Sequence, residues 1–168
     1  MIYDYKEKEG YVSLWVGKCK DYNMIDEYMS TVYLETDFEG DVEKVEQSEV
    51  WKKVFIFTNQ SRDCEEELKE YFNYEYYNQF EYDFGLVFDE DFRETNVLDY
   101  DTGNLEILLD GFSYSDSFME EVKKMNCLQM KCNTAVVLYD FKYEGNIHMI
   151  EHENICLHFL GYFKYNQE

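Results

Sequence analysis

The sequence contains no proline, so none of its turns relies on one. No apolar run reaches twenty residues, which excludes a transmembrane helix. The opening MIYDYKEKEGYV has neither the basic patch nor the apolar segment of a secretory signal, and the expectation is a cytoplasmic protein. Cysteines are odd in number (Cys19, Cys64, Cys127, Cys132, Cys156) and form neither C-x-x-C nor zinc-finger spacing, so free and mostly buried thiols are expected. Gly-rich phosphate loops and a G-x-S-x-G elbow are missing, although GFSYSDSF supplies serines. Basic side chains are scarce, and none lies between Arg93 and Lys123.

Acids fill that gap. The chain carries 37 acidic against 15 basic side chains, net −22, and residues 61–120 alone hold 18 acids and 3 bases. Self-repulsion on this scale costs stability. It serves solubility or adaptation to salt, or it forms a surface that attracts a basic partner. Either way it argues against binding nucleic-acid phosphates or anionic membranes directly. With 168 residues, 45% hydrophobic and 19% aromatic, the chain can bury a core, and residues 1–168 are expected to form one α+β domain.

YVSLWVG alternates Val12, Leu14 and Val16 against Ser13, Trp15 and Gly17 and predicts a strand ending at the glycine. Asp21 caps a predicted helix carrying Met24, Ile25, Tyr28, Met29 and Val32. Gly40-Asp41 reads as a turn and Val54 to Phe57 as a short strand. Asp63 with Glu66 opens a helix striped by Cys64, Leu68, Tyr71 and Phe72, which runs into YFNYEYYNQFEYDFG and stops by Gly85. Residues 86–103 read as a short extended piece and a polar loop. NLEILLDG is helical and closed by Gly111, and Ser115 or Ser117 caps a helix with Phe118, Val122 and Met125 on one face. Thr134 to Tyr143, NIHMI and Ile155 to Phe163, separated by turns at Glu144-Gly145-Asn146 and Glu151 to Asn154, predict a three-strand meander. The sheet is expected to be mixed or mainly antiparallel and packed on the helices.

Two constellations carry possible chemistry. His148-Met149-Ile150-Glu151-His152 has the H-x-x-E-H order of inverted zinc peptidases. That order binds one zinc only on a helix, where residues four apart lie about 6 Å from each other; on a strand they are roughly 13 Å apart. The flanking turn signals leave too little room for such a helix, so a strand is expected, with no metal and no cofactor; a metal-dependent hydrolase built on His148, Glu151 and His152 is the alternative. DYDTGNLEILLD, from Asp99, resembles a calcium loop at its first and third positions, but glycine stands fifth instead of sixth and Asp110 replaces the closing glutamate. Carboxylate pairs are too abundant to single out an acid-base pair, and a Cys–His pair from Cys156 is left open.

What remains is a tyrosine-rich acidic surface, suited to a basic protein because tyrosine gives rigid contact area and carboxylates meet lysine and arginine. The candidate contacts are Tyr76, Tyr82, Asp89, Glu90, Asp91, Asp99, Asp101, Asp110 and Asp116.

VSLWVG, YDFGLVFDEDF from Tyr82, LLDGFSYSDSFMEEV from Leu108 and AVVLYDFKY from Ala135 occur in an order that resembles the immunity protein 22 family. The matching positions are Trp15, Gly17, Asp83, Gly85, Asp91, Phe92, Gly111, Ser113, Ser115, Phe118 and Asp140, read mainly as structural. The resemblance implies a small bacterial α+β protein, encoded beside a polymorphic toxin, that neutralises the toxin without being an enzyme. It sets residues 38–70 apart as an insertion. Resemblance and charge agree on a basic partner, a nuclease being the expected toxin. An acidic mimic of nucleic acid acting on a host DNA-binding protein is the further alternative.

Overall fold

The computed structural model describes residues 7–33, 44, 76–125 and 130–167. The expected turn at Gly40-Asp41, the strand at 54–57, the helix from Asp63 and the 38–70 insertion lie outside the described residues.

β1 (Glu7–Cys19) runs two residues past Gly17 because Cys19 still pairs with the last strand. Its period-two pattern sends Val12, Leu14 and Val16 to one buried cluster and Trp15 and Cys19 to the other. Asp21 accepts from the Met24 N–H at 2.9 Å and starts α1 (Tyr22–Met29). The helix ends at Met29, so Val32 falls instead in β2 (Val32–Tyr33), which pairs with β3 (Tyr76–Tyr77). The strand at Tyr76–Tyr77 interrupts the helix expected to run on to Gly85; Asn78 caps a separate α2 (Gln79–Phe84), and Gly85, at φ 62°, closes it where the sequence predicts a stop.

A 3₁₀ turn at Glu90–Phe92 leads into β4 (Arg93–Thr102), which is longer than the short extended piece expected there and runs on into the expected polar loop. The strand is half-buried along most of its length, so it lacks the clean alternation that marks β1. α3 (Leu105–Leu108) is a single turn. α4 (Ser115–Lys124) takes Tyr114 at its N-cap, not Ser115 or Ser117, and the Ser117 hydroxyl donates to the Tyr114 carbonyl at 2.7 Å. Phe118 and Val122 are buried as expected, but Met119 replaces Met125, which is 46% exposed.

β5 (Cys132–Phe141), β6 (Met149–His152) and β7 (Ile155–Lys164) lie where three C-terminal strands are expected, although β6 starts later than NIHMI and takes in Glu151 and His152, expected as turn, because both pair with β7. They do not form one meander. The sheet order is β4-β5-β1-β7-β6, with antiparallel neighbours, so β1 inserts between β5 and β7. The insertion follows from side chains: β1 is apolar on both faces and can be buried only in the middle of the sheet. Gly17 permits it. A Cβ there would stand 1.8 Å from the Cys156 carbonyl oxygen, so β1 and β7 approach more closely than any side chain allows.

Both sheet faces are covered, giving an α+β fold. On one, Trp15 lies among Phe80, Phe84, Tyr143 and Phe159 at ring-centroid separations of 5.0–5.6 Å, with α1 and α2 above it. On the other, Leu108, Leu109, Phe118 and Val122 from α3 and α4 cover Val12, Leu14 and Val137. Each such side chain contributes roughly 1.5–3 kcal/mol by leaving water. No helix among the described residues is long and apolar enough to cross a membrane.

Candidate interaction surface

β4 forms one edge of the main sheet, and most candidate acids are arranged around it. Asp89, Glu90 and Asp91 are exposed at its start. The Asp89 carboxylate accepts from the Asp91 N–H at 2.9 Å, and Glu90 accepts from the Thr31 N–H at 2.8 Å, which fastens the turn to the end of α1. Asp99 and Asp101 are exposed near its end, roughly 20 Å farther on at about 3.3 Å per residue. Asp101 pairs with Lys18 at 2.6 Å. Asp110 is exposed in the turn after α3 and lines a cleft of about 430 Å³ with Tyr22, Arg93, Glu94, Thr95, Asn96, Gly111 and Phe112. The acids therefore form a line along β4, not a compact patch.

Of the nine candidates only Asp110 lines that cleft, and three lie off β4 and its flanking turns. Tyr82 is half-buried on α2, and Asp116 is exposed in the first turn of α4, beside Ser117, whose hydroxyl oxygen accepts from the Asn166 N–H at 3.3 Å. Tyr76 lies in β3, and its side chain is outside the described set. Sequence reasoning missed Arg93, Glu94, Thr95 and Asn96. Arg93 carried a signal, being the lone base from residue 70 to 122. It reaches Asp26 at 3.4 Å, while its Nη1 is buried with no acceptor among the described residues. Glu94 is held by the Ser113 N–H at 2.8 Å, by the Ser113 hydroxyl, and by the Tyr139 hydroxyl at 3.0 Å. Burial, with the Glu94 charge beside it, pushes the Tyr139 phenol well above its ordinary range, so the hydroxyl stays a donor.

Glu81 supports the same region from below. It is 5% exposed, and its carboxylate accepts from the Phe88 N–H at 3.1 Å, pinning the chain that leads to Asp89. Burial raises its pKa to about 7; the Phe88 N–H opposes the shift and the Glu90 charge adds to it.

The rival chemistries fit less well. Met149–His152 is strand, so the helical zinc geometry is not formed; His152 Nε2 meets Asp83 Oδ2 at 2.6 Å, while His148 and Glu151 are exposed. Among the described residues no group of three potential metal-binding side chains converges, the Asp99–Asp110 segment included. Cys156 Sγ lies 3.5 Å from His158 Nε2, but burial pushes the thiol up and the Glu151 charge adds to the shift, opposite to what a nucleophile needs.

No curated protein and no solved structure matches the chain. The family described as immunity protein 22 matches residues 54–166, more than half of its length. The chain belongs to the immunity protein 22 family. An immunity role, binding a cognate toxin, follows from that membership. Within this immunity protein, the motifs from Tyr82 onward lie inside the matched span, whereas Trp15 and Gly17 precede it.

Most resembling positions have structural work. Trp15 centres one core, Phe118 is buried in the other, and Gly111 takes φ 84°. Asp83 accepts from Tyr28, Gln79 and His152 at 2.6–2.9 Å. Asp140, at φ 48°, accepts from the Gly10 N–H and the Tyr165 hydroxyl, both at 2.8 Å, where the β1–β5 register shifts. Ser115 opens α4, and Ser113 holds Glu94. Phe92 is an exception, 44% exposed beside Asp91.

Proposed function

We propose that the protein is a cytoplasmic, non-catalytic inhibitor that neutralises a cognate bacterial toxin domain, a basic nuclease, by covering its active site or substrate groove with the acidic border of β4. The observation that carries this reading is family membership combined with exposed acids along one sheet edge. Phe92 and Tyr100, 44% and 56% exposed, supply apolar contact area among Asp89, Asp91, Asp99 and Asp101. Carboxylates placed where phosphates would sit steer a cationic nuclease toward the complex and compete with its substrate. The test is co-expression with the toxin domain encoded by the adjacent open reading frame. Rescued growth and a co-purifying complex are expected; a toxin that still kills and does not co-purify ends the proposal.

A further inference from the structure

Of the two edges of the main sheet, β6 offers four residues and β4 offers ten. The direction of the β4 backbone can be read from its side-chain partners. The Thr134 hydroxyl donates to the Asn96 carbonyl at 2.8 Å, and the Asn133 amide to the Leu98 carbonyl at 3.3 Å, so Asn96 and Leu98 face β5. In an extended strand successive residues point their N–H and C=O groups to opposite sides. Thr95 and Val97 therefore turn theirs outward, and among the described residues no strand pairs with that side. Arg93 to Asn96 form one boundary of the 430 Å³ cleft, Tyr22 of α1 stands at one wall and Asp110 to Phe112 at the other. An edge that no described strand covers, between two walls, is a template for one more strand.

Charge selects the occupant. The trough and its continuation carry Asp26, Glu94, Asp99, Asp101 and Asp110 against Arg93 and the Asp101 partner Lys18. A second copy of this chain would bring an equally acidic edge, with Asp89, Asp91, Glu94, Asp99 and Asp101 against the single Arg93, up to this one, which is unfavourable. An extended lysine- or arginine-bearing segment meets complementary charge on both walls, because its alternate side chains point to opposite faces.

We propose that β4 receives an extended basic segment of the toxin as a sixth strand, paired through the outward N–H and C=O groups of Thr95 and Val97. This rests on the immunity reading and adds the mode of binding to it. The experiment is amide exchange resolved by NMR, without and with the purified toxin domain from the adjacent reading frame. The Thr95 and Val97 amides should exchange freely in the unbound protein and slow at least about tenfold in the complex. Thr95→Pro removes the outward N–H at an edge position that tolerates proline, so it should fold and bind the toxin roughly tenfold or more weaker, while Thr95→Ala binds within about twofold. A complex in which both amides keep their free rates overturns the strand addition and leaves the immunity reading intact. So do wild-type affinity in folded Thr95→Pro, and amides already protected in a dimer of the free protein. Absence of any complex overturns both. If Thr95→Pro does not fold, the exchange rates decide alone.

Discussion

Replacing Glu81 by glutamine should stabilise the protein at pH 8 far more than at pH 5. The glutamine retains an oxygen for the Phe88 N–H and removes only the charge. The Glu81 pKa is about 7 in the fold against an ordinary value of 4.5, with burial as the main cause. A raised carboxyl pKa favours the folded state below 4.5, and that advantage fades as pH rises to 7, beyond which the penalty is constant. Ionised Glu81 therefore costs about 3 kcal/mol at pH 8 and less than about 1 kcal/mol at pH 5. The new amide introduces its own hydrogen-bonding cost, but that cost is the same at both pH values. The stability difference between variant and wild type should thus be about 2–3 kcal/mol larger at pH 8 than at pH 5. Urea unfolding followed by tryptophan fluorescence measures it. The same difference at both pH values would refute the assignment of a buried, strained carboxylate.

Gly17→Ala drives a methyl into the Cys156 carbonyl and should destabilise by roughly 3 kcal/mol or more, read from the urea midpoint. Asp83→Ala strips three donors, the Tyr28 hydroxyl, the Gln79 amide and His152, of their shared acceptor and should cost about 3 kcal/mol in the same assay. Asp99→Lys with Asp110→Lys touches only exposed positions, so stability should stay within about 0.5 kcal/mol while association with the toxin slows several-fold in stopped flow.

Where a residue pattern has one physical solution, the fold was legible in the sequence. The two-faced alternation of β1, the Asp21 cap and the Gly85 stop each appear as read. Pairing was not legible, because apolar strands near the C-terminus carry no mark of what they pair with. Nothing local to NIHMI or TAVVLYDF reveals that a strand over a hundred residues earlier comes between them. β4 was legible only as a short extended piece for the opposite reason: an edge strand has no fully buried face, so its DYDT end imitates a loop. The acids were visible as composition, but their alignment along one edge was not, since it depends on β4 being a strand. His152 resembled a metal ligand in sequence and turned out to be a partner of Asp83, a contact 69 residues away that spacing cannot reveal.

The most direct test of an acidic inhibitor surface is the salt dependence of toxin association. Mixing the purified protein with its toxin domain in stopped flow, from about 0.05 to about 0.5 M salt, spans strong to weak screening. The account predicts a stable complex whose association rate falls steeply over that range, with a smaller change in dissociation. An association rate indifferent to salt, or no complex at low salt, would contradict it.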